Sequence, residues 1–177
     1  MLKKMVWVCV VTSLFVANSL AQNGVGRGRF DQKSTIAVTV DGLTCNNGQG
    51  TIPALTWNFG VSAPVSSTGT GGGGATKASL SDVSITRRAD GCTPVLFEDV
   101  VTGRHINKVT IVQQDTQKDD VFTVTLQDVI ISSYQIGGDQ GSELPTEKVG
   151  FNFGKICIAD QGTSTKACWD LSSGRTF

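Results

Sequence analysis

His105 is the single histidine of a 177-residue chain, so acid–base chemistry near neutral pH would have to centre on it. It stands in Gly103-Arg104-His105-Ile106, just past a short helical pattern, where an imidazole serves spare carbonyls or the negative end of the helix. Other catalytic patterns are incomplete. No Gly-x-Ser-x-Gly elbow supplies a serine nucleophile. Glu98-Asp99 and Asp119-Asp120 are neighbouring carboxylates, a pattern of solvated charges, whereas glycoside hydrolysis needs two carboxylates facing each other across a cleft. Gly71 to Gly74 suggests a phosphate-binding loop, but Ala75-Thr76-Lys77 follows where Gly-Lys-Ser/Thr is required. Trp57, Tyr134 and Trp169 could stack on sugars or bases, yet they fall at alternate positions of strand-like segments, as core residues do. The chain is therefore expected to act without catalysis, cofactor or metal.

The N-terminus directs how the cysteines are read. Lys3 and Lys4 precede an apolar stretch from Met5 to Val16 that is too short to span a bilayer, and Ser19-Leu20-Ala21 places small residues where a signal peptidase cuts. Residues 1–21 are expected to be a cleavable signal peptide, which removes Cys9 and leaves a secreted or periplasmic bacterial protein with no stable membrane insertion. Without Lys3 and Lys4 the chain carries 13 basic against 15 acidic side chains, too little field to hold nucleic acid or anionic lipid.

Cys45, Cys92, Cys157 and Cys168 remain, an even set in an oxidising compartment, and none of their spacings matches paired zinc ligands. Two disulfides have three connectivities. Gln161-Gly162-Thr163-Ser164 suits a two-residue type II′ hairpin with Gly162 in its first central position, which sets Cys157 opposite Cys168 and leaves Cys45 with Cys92. A longer loop or a bulge would move that register.

The elements that must position these residues are mostly strands. After a polar lead-in over 22–34, Ile36, Val38 and Val40 alternate up to Asp41-Gly42, and Leu55, Trp57, Phe59 and Val61 repeat the period of two. Ser62 to Ala75 is a Ser/Thr/Gly segment with too little apolar surface to pack, so it reads as a long exposed loop. Leu80, Val83 and Ile85 resume strand character. One helix is predicted from Thr93 as N-cap, through Pro94, to Gly103, with Leu96, Phe97, Val100 and Val101 on the inner face and Glu98 and Asp99 pointing away. Strands then follow around Val109 and Ile111, from Phe122 to Leu126, and from Val129 to Tyr134, with Gln117 to Asp120 and Gln127-Asp128 as turns. A second flexible loop runs from Gly137 to Pro145. Val149, Phe151 and Phe153 begin a strand that passes Ile158 and returns through Ala167 and Trp169. This density of strands with one short helix predicts a mainly β fold, a closed or nearly closed antiparallel β-barrel over 35–171 with a tail over 172–177.

Several segments in this order resemble the Hcp (haemolysin-coregulated protein) family of type VI secretion tube proteins. Trp57-Asn58-Phe59-Gly60-Val61-Ser62, the glycine loop and Leu80-Ser81-Asp82-Val83-Ser84-Ile85 are similar to its second strand, extended loop and third strand. Thr93-Pro94-Val95-Leu96-Phe97 through Thr102-Gly103-Arg104-His105-Ile106 resembles its single helix and the turn after it. Ile130-Ile131-Ser132-Ser133-Tyr134 and Glu147-Lys148-Val149-Gly150-Phe151-Asn152-Phe153-Gly154-Lys155-Ile156 resemble its late strands. The resemblance implies a β-barrel of two packed sheets with one helix, assembling into homohexameric rings that stack into a tube and meet secretion-machine or effector partners. It also implies that Ser66-Ser67-Thr68-Gly69-Thr70-Gly71-Gly72-Gly73-Gly74-Ala75 is the ring-stacking loop. An export signal and four mature cysteines depart from the ordinary tube subunit. The alternative from another class is a monomeric secreted module that binds carbohydrate or a cell surface through Trp57, Tyr134 or Trp169.

Overall fold

The computed structural model describes residues 34–177 except 46, 47, 49, 65–77, 116–120 and 142. Their elements, in chain order, are β1 Ser34–Val40, β2 Thr51–Ala54, β3 Thr56–Asn58, β4 Val61–Ser62, β5 Ser79–Leu80, β6 Val83–Arg88, α1 Thr93–Thr102, β7 His105–Asp115, β8 Val121–Gly137, β9 Thr146–Asp160, β10 Thr165–Asp170 and β11 Arg175–Thr176. The expected signal peptide, residues 22–33 of the expected lead-in, the turn Gln117 to Asp120 and the loop Ser66 to Ala75 lie outside the described residues, whereas Ser34, expected to close the lead-in, begins β1.

Every strand pair among the described residues is antiparallel, and the pairing closes on itself. β1 pairs with β7, β7 with β8, β8 with β9, β9 with β6, β6 with β3, and β2 returns to β1. Leu55 makes the closure: it lies between β2 and β3, and its N–H donates to the Thr86 carbonyl at 2.8 Å, so the strand passes from β1 to β6 without a break in the chain. Closure removes most free edges, the hazard that a chain this rich in strands would otherwise carry. β10 and β11 extend the nine-stranded sheet beyond β9, and β4 with β5 forms a second, two-stranded sheet. The fold is the mainly β barrel with one helix that the strand density and the resemblance implied. Residues 172–177, expected as a tail, carry a turn and β11.

The core follows from alternation, with one shift of phase. Val38 with Val40, Val109 with Ile111, Val124 with Leu126, and Val149 with Phe151 point inward at a spacing of two. Between Ile106 and Val109, Leu126 and Val129, and Phe153 and Ile156 the spacing becomes three, at the same level on three adjacent strands. Asp128 sits at that level with φ 56°, and a Cβ on Gly154 would lie 3.0 Å from the Asp128 Cβ. Gln127-Asp128 is therefore a kink inside the 17-residue strand β8 and not the turn expected from its polarity. Aspartate tolerates the left-handed conformation, so two polar residues can change which face points inward without reversing the chain.

The expected strand from Leu55 to Val61 is divided between β3 and the start of β4, and Leu55 and Val61 are exposed. Both lie where the backbone changes partner, which outweighs the apolar pattern. The hairpin after β9 also differs. Gly162 is not left-handed; Ser164 is, at φ 54°, and Asp160 accepts from the Gly162 N–H and the Thr163 hydroxyl, both at 3.0 Å. A four-residue loop thus replaces the type II′ turn. It takes one residue from each arm, so the register is unchanged and Cys157 stays opposite Cys168.

Candidate assembly site

The segment expected to make contacts between rings is carried on two short strands. Val61 pairs with Leu80 and Ser62 with Ser79, so β4 and β5 form an antiparallel ribbon whose ends lead to residues 65–77. The feet of the ribbon are tied down. Gly60 N–H donates to the Ser81 hydroxyl and Ser81 N–H to the Gly60 carbonyl, each at 2.9 Å. Asp82 accepts from the Ser132 hydroxyl of β8 at 2.5 Å and from the Asn152 amide of β9 at 2.8 Å. Phe59 packs edge-on to Phe153, with ring centroids 6.0 Å apart. Polar bonds on the outer surface and an aromatic pair beneath thus fasten the base of the ribbon to the barrel.

α1 is held at another part of the surface by three devices. Cys92, its N-cap, is bonded to Cys45 in the connection between β1 and β2. Asp90 receives the Cys92 N–H at 2.8 Å and meets the Arg87 guanidinium at 2.5 Å. Phe97 lies edge-on to Tyr134, with centroids 6.1 Å apart. Thr93, expected as the N-cap, is the first helical residue; its hydroxyl accepts from the Asp90 N–H at 3.0 Å. Gly103 ends the helix at φ 62°, as a left-handed C-cap should.

The helix is rotated from the expected orientation. Leu96 and Asp99 are buried, whereas Phe97 and Val101 are 53% and 63% exposed. Arg104 explains why Asp99 tolerates burial, with Nη2 donating to Oδ2 at 2.7 Å and Nε 2.6 Å from Oδ1. An Asp99 read as solvated puts the polar face one residue out of phase.

Sequence reasoning also missed a buried ionic group inside the barrel. Arg87 and Glu147 face each other across β6 and β9, both essentially inaccessible, and are joined by an ion pair. The Tyr134 hydroxyl donates to the second Glu147 oxygen at 2.7 Å. Burial first, and then this carboxylate, pushes the tyrosine well above its ordinary pKa, so it remains a neutral donor. Arg87 follows Val83 and Ile85 at the inward spacing, and Glu147 precedes Val149 and Phe151 in the same way, so the alternation itself was the available signal.

The residues whose types could do chemistry are not gathered. His105 is exposed at the start of β7, opposite Ile130. Glu98 is exposed while Asp99 pairs with Arg104, and Asp119-Asp120 lie outside the described residues. Trp57 donates to Gln113 at 2.9 Å and stacks on Phe122, Tyr134 belongs to the Glu147 network, and Trp169 packs against the core from β10. Among the described residues no helix is long and apolar enough to cross a membrane.

A closed antiparallel barrel with one helix at its side is the fold this chain shares with Hcp proteins of type VI secretion. The family described as "Type VI secretion system effector, Hcp" matches residues 40–159, and the chain belongs to that family. Protein hcp1 of Pseudomonas aeruginosa PAO1 is 34% identical over 107 residues, a match covering 54% of this chain and 66% of the relative, just under two thirds of its length. Among solved structures, a type six secretion system protein superposes with a TM-score of 0.69 at 18% identity, covering 81% of this chain and 99% of the other. Hcp1 from Salmonella typhimurium gives 0.67 at 18% identity, with 82% and 99% covered. A type VI secretion system effector from Yersinia pestis gives 0.62 at 24% identity, with 77% and 99% covered. At these identities the superpositions establish the shared fold.

Proposed function

We propose that this protein is an exported structural subunit that assembles into hexameric rings able to stack into tubes, and that it works by assembly without catalysing a reaction. Its partners are other copies of itself and, beyond them, secretion-machine or effector proteins. Residues 1–21 act as a cleaved signal, so assembly takes place outside the cytoplasm. The observation that carries this reading is the family match over residues 40–159, which includes the whole loop-bearing ribbon. Exposed apolar side chains agree with it: Phe97 and Val101 lie one turn apart on α1, and Ile130 and Ile136 lie on β8, the strand against which α1 packs. Apolar surface of this kind suits contact between protein copies.

The loop Ser66 to Ala75 makes the stacking contact in this account, its glycines allowing close backbone approach to a neighbouring ring. Deleting Thr70 to Gly74 should leave the melting temperature nearly unchanged, since halving a loop alters closure entropy by only about 0.6 kcal/mol. Rings should persist in electron micrographs while stacks disappear. Stacks that survive the deletion would remove the loop from the contact.

A further inference from the structure

The two disulfides have unlike surroundings. Cys45–Cys92 lies within the core cluster, with Cys92 wholly inaccessible and Cys45 7% exposed. Opening it requires the N-terminus of α1 to leave the barrel. Cys157–Cys168 joins the barrel strand β9, where Cys157 is also opposite Thr125 of β8, to β10, which lies outside the closed ring of strands. Cys168 is buried at 9% exposure but Cys157 is partly exposed, and neither cysteine belongs to the main core cluster.

The hairpin fastened by this second bond also forms one wall of a crevice. Among the described residues β10 pairs only with β9 and with the two-residue strand β11. Its Ala167 and Trp169, the register partners of Ile158 and Ile156 on β9, line with those two residues and with Phe59 and Leu80 an almost wholly apolar crevice of about 310 Å³. Beyond that pairing the segment is tied by Trp169 and Leu171, which pack against the core, by the Leu171 N–H donating to the Gly154 carbonyl at 3.0 Å, and by a weak, partly exposed pair in which Lys155 Nζ lies 3.7 Å from Asp170. Strands at the edge of a sheet open locally more readily than core strands, and opening exposes a disulfide to attack.

We propose that Cys157–Cys168 is a redox clasp. Oxidised, it holds β10 and β11 as a wall of the apolar crevice; reduced, it lets them lift and exposes the crevice lining to water. The reductant is a dithiol. One of its thiolates attacks one cysteine sulfur, the S–S bond between Cys157 and Cys168 breaks and the other cysteine leaves as a thiolate that takes up a proton; the second thiol then attacks the mixed disulfide at the reductant's own sulfur and displaces the remaining cysteine. Two electrons and two protons pass to Cys157 and Cys168, leaving the reductant as a disulfide. This device lies beyond the assembly reading and does not depend on it.

The test treats the purified native protein with graded dithiothreitol, alkylates with iodoacetamide and maps the modified peptides. Hydrogen exchange and the fluorescence of an anilinonaphthalene sulfonate dye are followed in parallel. Cys157 and Cys168 should become alkylated at reductant concentrations that leave Cys45–Cys92 intact. Dye fluorescence should rise at those concentrations, and amides over Thr165–Asp170 should exchange roughly 100-fold faster, the factor by which freeing a loop of this size favours opening. A Cys157→Ser/Cys168→Ser variant should bind dye without reductant; if that variant does not fold, the chemical reduction decides the matter alone. Alkylation of Cys45 and Cys92 at the same or lower reductant concentration would overturn the proposal. So would unchanged dye binding and exchange once Cys157 and Cys168 are alkylated.

Discussion

Replacing Arg87 with alanine is expected to destabilise the barrel by about 3–5 kcal/mol, because it leaves the Glu147 carboxylate buried without its partner. Tyr134 would still donate to Glu147, but one neutral hydrogen bond does not replace a guanidinium, and Asp90 would lose the contact that ties the start of α1 to β6. A drop in melting temperature of roughly 10 °C or more follows for a domain of this size. The pair as a whole contributes much less than the cost of breaking it, since desolvating two charges offsets most of their attraction. Arg87→Met with Glu147→Leu should therefore recover most of the stability lost in Arg87→Ala. Thermal unfolding of the three proteins checks this: a single mutant as stable as the parent, or a double mutant worse than the single, would show that the network is not what the geometry makes it.

The second large effect concerns the bond that holds the helix. Cys45 and Cys92 are 47 residues apart in sequence, and cross-linking a loop of that length restricts the unfolded chain by about 4 kcal/mol in the chain-entropy model. Cys45→Ala with Cys92→Ala should lose that amount, and the loss should appear as faster exchange over α1 before global unfolding, since the bond anchors the helix N-cap. Denaturant titration with and without the bond measures the cost. Equal midpoints would contradict it.

How far the sequence can be read depends on which force acts at each position. The alternation of Val38 with Val40, of Val124 with Leu126 and of Val149 with Phe151 exposes the barrel strands, because burying one face of a strand permits no other pattern. Pro94 and Gly103 delimit the helix through backbone restrictions that act locally. The register at Cys157 and Cys168 survives a mistaken turn type, since the two loops differ by one residue on each arm.

Local reading fails where a distant partner reverses a local preference. Asp128 has the chemistry of a turn and is a kink, because β7 and β9 hold β8 straight on both sides. Asp99 has the sequence context of a solvated charge, but Arg104 reaches it. Arg87 and Glu147 are hidden by the rule that charge means exposure, although their positions in the alternation point inward. The segment proposed to make the stacking contact is legible as a Ser/Thr/Gly run between strands. The ribbon that supports it is not, because two-residue strands leave almost no periodic signal.

Assembly is the centre of this account, and the most direct test is the mass in solution of the protein lacking residues 1–21. Native mass spectrometry and light scattering on the oxidised protein should find a particle of six protomers, with larger multiples when rings stack. A protomer that stays monomeric across the accessible concentration range would contradict the account and favour a secreted binding module.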